Sequence, residues 1–222
     1  MVKSQKRKGA KRAMVSKGRR MRKTLNVNKS LTPFSQRYIT KMKYSENVIT
    51  GSTGVYRFAL NNLFDPNLTG VGHQPHGFDQ LSTIYNRYRV IGATCSINAY
   101  LASPSTTALP VRVACLPANG AITPSGVADV VENPRCRWGL FTVGGPNKPI
   151  TGKCYLPSIC GRSKAEYMAD DRYQSANTTG PAEVVLLNLF AETLDGLGAN
   201  VYFTVTINYH VEWFDVNNLA QS

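Results

Sequence analysis

The chain has 222 residues, 42% of them apolar, which is enough for one domain with a real core and too little for two comfortable β domains. Its 26 Lys and Arg against 13 Asp and Glu leave a formal charge of +13, which excludes a charge-balanced chain and calls for an anionic partner. The longest apolar run, around Val184 to Phe190, is far too short to span a bilayer, so no membrane insertion is expected.

The charge is segregated. Through Lys43 there are fifteen Lys and Arg and no Asp or Glu; from Tyr44 onward eleven basic residues face thirteen acidic ones, a net of −2. Residues 1–42 therefore read as a basic, largely disordered nucleic-acid-binding arm, because like charges repel and few large apolar residues are present to offset ordering entropy. Its cations Lys3, Lys6, Arg7, Lys8, Lys11, Arg12, Lys17, Arg19, Arg20, Arg22, Lys23 and Lys29 have no acidic partners in that segment. A polynucleotide is the natural counter-charge, since each phosphate contact releases condensed counterions. Such contacts are blind to base sequence. The competing readings are a solvated solubility tail and a mitochondrial presequence; few bulky apolar residues in the first twenty argue against the latter. The clusters Lys6-Arg7-Lys8 with Lys11-Arg12, and Arg19-Arg20 with Arg22-Lys23, resemble a two-part nuclear import signal. Segment 31–42 reads as the hinge. Arg37, Lys41 and Lys43 lie where the arm enters the domain, with Tyr38 and Tyr44 beside them as candidates for stacking on unpaired bases. Ordinary surface charge is the competing reading of these cations.

From residue 43 the pattern changes to short strands and turns. Tyr44–Ile49 is a weak first strand, and Val55–Asn62 a second with Tyr56, Phe58 and Leu60 on one face. Asp65-Pro66, Gly70, Gly72, Pro75 and Gly77 make a loop; Phe78, Leu81 and Tyr85 then mark a short amphipathic helix. Arg89–Leu101 is a long strand, with Ile91, Ala93, Cys95, Ile97 and Ala99 inward and Thr94, Ser96 and Asn98 outward. Leu109–Leu116 follows, with Val111, Val113 and Cys115 inward. Thr123-Pro124 suits the start of a short helix reaching about Val131. Strands near 136–143 and 149–157 flank the turn Gly144-Gly145-Pro146-Asn147. Residues 158–181 read as a long polar loop, 182–191 as an apolar strand, and Asp195-Gly196 as a turn. In the last strand Val201, Phe203, Val205, Ile207, Tyr209, Val211 and Trp213 alternate strictly with polar partners. Eight strands without a long helix exclude a parallel βαβ design. They predict an all-β, single eight-stranded antiparallel jelly-roll β-sandwich over 43–222.

Five cysteines, with no close pair and no leader-like segment ahead of them, are expected as thiols; Cys95 and Cys115 fall on core faces, and pairing of Cys154 with Cys160 stays open. His73 and His76 form a His-x-x-His whose plainer reading is a structured turn. Asp170 and Asp171 are weak candidates for calcium at a subunit contact, against an arginine-paired turn. Leu63, Phe64 and Tyr167 are candidate interface anchors in loops. No nucleophile elbow, phosphate loop or His-Glu-x-x-His is present, and only His210 falls on a predicted strand, so neither a catalytic role nor a cofactor is expected.

The run Phe58-Ala59-Leu60-Asn61-Asn62-Leu63-Phe64-Asp65-Pro66, then 69–81 (TGVGHQPHGFDQL), then Tyr85-Asn86-Arg87-Tyr88-Arg89-Val90, resembles the capsid proteins of small circular single-stranded DNA viruses, the Rep-encoding, circovirus-like group. The basic arm and the closing strand are similar in layout. The resemblance implies a virion protein with a single jelly roll, identical subunits assembling into an icosahedral shell, and an inward arm holding a circular DNA genome. It also implies passage through the host nucleus by way of an import receptor. Sixty such subunits, a closed icosahedral number, would bring roughly 900 positive charges inside. Coats of small single-stranded RNA viruses and satellites share this layout, so the type of genome stays open. A cellular β-sandwich with a basic tail would place cations on the folded domain too, and the net −2 there speaks against it.

Overall fold

The chain is described by a computed structural model covering residues 33–51, 53–70, 72–101, 109–142, 148–197 and 200–217. Period-two alternation builds most of it. β1 (Arg37–Ile49), β3 (Tyr85–Leu101), β6 (Ile150–Tyr155) and β9 (Val201–Val216) form one sheet in the order β1-β9-β3-β6. β2 (Val55–Ala59), β4 (Val111–Asn119), β5 (Arg137–Phe141) and β8 (Val185–Thr193) form the other in the order β2-β8-β4-β5. A short ninth strand, β7 (Gln174–Ala176), pairs with β3. Every pairing is antiparallel. Except for the step from β4 to β5, each move along the eight principal strands crosses between the sheets. That winding is the jelly roll.

The inner faces meet in one core. The seven alternating residues Val201 to Trp213 of β9 are all buried. Each such side chain contributes about 1.5–3 kcal/mol on full burial. Tyr209 reaches across the sandwich, its hydroxyl donating to the Ala59 carbonyl at 2.8 Å. Trp213 packs against Tyr88 and Phe78, with ring centroids 5.3 and 5.4 Å away. Cys95 and Cys115 are buried thiols, and burial pushes the Cys115 thiol up to about 12. Cys154 and Cys160 are both free, so they do not pair. Among the described residues no helix is long and apolar enough to cross a membrane.

Several elements differ from the sequence reading. β1 begins at Arg37, and its first six residues pair with Phe214 to Tyr209, so the expected hinge is largely sheet. The sixteen-residue β9 supplies the template that this charged segment does not advertise. β3 shifts register between Val90 and Gly92. Val90 and Ala93 both face the core, and Ile91, assigned inward by simple alternation, is only partly buried at the bulge. Helix α1 (Phe78–Ser82) forms but is shorter than expected, and Tyr85, assigned to its face by spacing, instead opens β3. Helix α2 (Val127–Val131) starts after Gly126 rather than Thr123, because the Glu192 carboxylate of β8 accepts from the Val127 N–H at 3.1 Å. The turn at 144–147 lies outside the described residues.

The polar loop after β6 is structured. It holds α3 (Leu156–Ile159), α4 (Lys164–Ala169) and a 3-10 turn over Asp171–Tyr173. Ser163 caps α4 reciprocally with Glu166, through bonds of 3.2 and 2.8 Å. Tyr167 is fully buried and donates to the Val90 carbonyl at 2.9 Å. Leu63 is buried as well, so neither residue can anchor an interface; of the three candidates only Phe64 is exposed.

Candidate nucleic-acid interface

Lys3 through Lys29 lie outside the described residues. Arg37, Lys41 and Lys43 lie on β1, where Met42, Tyr44 and Val48 turn inward and the odd-numbered residues face out. Strand register carries this outer face across the sheet. Lys43 lies opposite Asn208, Asn208 opposite Thr94, and Thr94 opposite Lys153. The neighbouring rows run Lys41, His210, Gly92, Tyr155 and Ser45, Thr206, Ser96, Thr151. Four strands about 4.8 Å apart put the Cα atoms of Lys43 and Lys153 roughly 14 Å apart. None of these twelve positions is acidic. Short polar side chains fill the space between the lysines, as in the 3.0 Å contact of the Ser45 and Thr206 hydroxyls.

The other end of the same face is closed. Arg89 is buried, donating to the Met168 carbonyl and to Gln174 Oε1 at 3.0 Å, with its guanidinium 5.6 Å from the Phe214 ring centroid. It pins α4 over this end and ties down β7, which pairs beside β3 in the sheet. Arg37 donates to Glu212 at 3.1 Å and compensates a carboxylate only 4% exposed. Arg37 is thus engaged in the fold, whereas Lys41 and Lys43 make no ion pair among the described residues.

Tyr44 is buried and cannot stack on a base. Its hydroxyl donates to Glu46, its ring lies against His73 at 4.7 Å, and burial followed by Glu46 pushes its phenol well up. Tyr38 remains on the surface, with its ring parallel to that of Tyr85 at 6.4 Å. His73 and His76 belong to a structured turn; the His76 backbone N–H donates to the Lys43 carbonyl at 3.3 Å. The Asp170 side chain caps the 3-10 turn and is gripped by Arg172 at 2.8 Å, with Arg162 at 3.6 Å. The Arg172 hydrogen bonds lead the causes that hold its carboxyl down to about 2. Asp171 instead accepts from Gln174 at 2.7 Å. The two carboxylates serve separate partners and do not converge on a cation. Among the described residues no group of three or more His, Cys, Asp or Glu is arranged to hold a metal.

Sequence reasoning missed Lys153, His210 and Tyr155, which join Lys41 and Lys43 only through pairing of distant strands. It also missed Trp138 and Leu140, 51% and 52% exposed on the outer face of edge strand β5. Their alternation with Arg137, Gly139 and the buried Phe141 was the available signal. The Asn-rich stretch that carries the family resemblance has structural work. Asn61 donates to the Glu183 carbonyl and accepts from Val185 N–H; Asn62 Oδ1 accepts from Phe64 and Asp65 N–H.

No protein-family model and no curated protein matches the chain. Solved structures follow a similar course. That of Desmodium yellow mottle tymovirus is 12% identical, covering 99% of this chain and 100% of its own, with a TM-score of 0.46. That of Cocksfoot mottle virus is 7% identical over 81% of this chain and 94% of its own, with a TM-score of 0.44. A semi-empty virus-like particle of the Macrobrachium rosenbergii nodavirus is 11% identical over 85% of this chain and 100% of its own, with a TM-score of 0.40.

Proposed function

We propose that the chain is a viral coat protein whose jelly roll tiles a closed icosahedral shell and whose residues 1–42 hold single-stranded nucleic acid inside it. The observation that carries this reading is the division of charge: fifteen cations and no carboxylate through Lys43, then a domain of net −2. A polycation leading into the edge strand of a jelly roll combines a packaging device with a tile. The resemblance over 58–90 favours a circular DNA genome, entry to the host nucleus through an import receptor that reads the paired basic clusters, and a shell of about sixty copies. An RNA genome is the alternative. The role is structural, without catalysis. Trp138 and Leu140 replace Leu63 and Tyr167 as candidate anchors between copies.

The test is to express the full chain, image it by electron microscopy and challenge it with DNase or RNase. Uniform particles protecting nucleic acid are expected, and the nuclease that digests the extracted strand identifies the genome type. A monomer with no bound nucleic acid would end the proposal. The arm is best removed at residue 32, because removal through residue 42 also strips half of the β1–β9 ladder. The shorter chain should fold and lose packaging.

A further inference from the structure

We infer that the open half of the outer face of the β1-β9-β3-β6 sheet is a second nucleic-acid contact, a platform on which a single strand crosses the sheet between Lys43 and Lys153. This extends the reading above from the arm to the folded domain, and it rests on nucleic acid being the arm's partner.

Charge is the first argument. Residues 44–222 carry a net of −2, yet the open rows of this face present Lys41, Lys43 and Lys153 and no carboxylate. The nearby carboxylates are turned elsewhere: Glu46 to the Tyr44 hydroxyl and Asn67, and Glu212 to Arg37. None of the three lysines makes an ion pair among the described residues, and all three are exposed. Unpaired cations brought together from β1 and β6 leave a positive field without an internal partner.

Shape and chemistry are the second argument. Ser45, Thr94, Ser96, Thr206 and Asn208 between the lysines are short and leave the face open. Hydroxyl and amide groups of this kind are common donors to phosphate oxygens. Tyr155, 47% exposed in the row of Lys41, offers a ring on which an unpaired base can stack. The span of roughly 14 Å between the lysines matches about four phosphates of a stacked strand at 3.4 Å each.

Tethering is the third. The arm enters this same sheet at Arg37, so a strand held by the arm is delivered at high effective concentration. Contacts too weak to capture a polynucleotide alone would then be occupied. A second copy of the chain on this face would need acidic or apolar surface to meet it, and the test includes that outcome.

The experiment titrates the full-length chain with a fluorescent thirty-nucleotide thymidine strand at several salt concentrations. In K43Q/K153Q the slope of log affinity against log salt should flatten by about 1.4, and binding at 0.15 M salt should weaken roughly 10-fold, from two lost single-strand phosphate contacts. K164Q, on α4 at the roofed end and off the open rows, should leave both unchanged. In parallel, the wild-type chain is photo-crosslinked to a strand carrying 4-thiothymidine. Cross-links at 151–155 as well as in the arm are expected. An unchanged slope in K43Q/K153Q, an equal change in K164Q, or cross-links confined to residues before Arg37 would overturn the platform while leaving the arm's role intact. Loss of particles in K43Q/K153Q with oligonucleotide binding unaltered would assign the face to copy-to-copy contact and also overturn it. A wild-type chain that binds no strand would sink both readings together.

Discussion

The two outer faces of the sandwich are built from the same kind of strand and end in opposite ways. That of β2-β8-β4-β5 is finished from within over β4 and β8, and only edge strand β5 keeps Trp138 and Leu140 exposed. Helix α2 lays Val127 and Val130 over Ala114, Leu116 and Phe190, making a second small core. Beside it Asn188 is fully buried and fully satisfied, accepting from Arg57 Nε and the Ile122 N–H and donating to the Leu116 and Gly120 carbonyls. Carboxylates gather on that side, with Asp129 in the first turn of α2, Glu132 at its C-terminal end and Glu192 capping its start. The β1-β9-β3-β6 face is finished only at the end that Arg89 pins. Its remainder is bare, hydroxylated and cationic. A sheet face that a protein closes with its own helix needs nothing else; one left polar, single-signed and uncovered is available to a partner.

The sharpest break in this comparison should come from Phe190→Ala. If the covered face is a true second core, urea titration should show a loss of about 3–5 kcal/mol. A loss under about 1 kcal/mol would demote α2 to a surface ornament. Asn188→Ala should follow, at about 2–3 kcal/mol, because it strands several buried polar groups at once. Asp170 tests the pinned end more gently. Its folded carboxyl titrates near 2, below its ordinary 3.8, so its contribution is present above 3.8 and is lost as pH falls through about 2. In Asp170→Asn the gap in melting temperature from the wild type should be small at pH 7 and should close by pH 2. Thr94→Val, in the middle of the open face, should change stability by less than about 0.5 kcal/mol. A larger loss would mean that this face, too, is structural.

What the sequence disclosed tracks the range of the interactions. β9 was legible because its burial is set by its own alternation, from Val201 to Trp213. The run of fifteen cations without a carboxylate through Lys43 is composition and needs no fold to be seen. The platform was not, since Lys43 and Lys153 are 110 positions apart and meet only through two intervening strands. The start of α2 was misplaced for the same reason: its cap comes from Glu192, far along the chain, while the local Thr123-Pro124 signal goes unused. Tyr167 looked like a loop aromatic free to meet a neighbour. Only the fold places the Val90 carbonyl where its hydroxyl can reach it.

The irregularity between Val90 and Gly92 acts as a punctuation mark in β3. On one side the strand is bordered by β7 and roofed; on the other it is bordered by β6 and open. Because an additional residue is accommodated there, deleting Ile91 would restore plain alternation with Tyr88, Val90 and Ala93 still directed inward. Removing a single residue anywhere else in β3 would turn half of the strand inside out. The join between the roofed and open halves is therefore the place where this chain can be shortened without exchanging its wet side for its dry one.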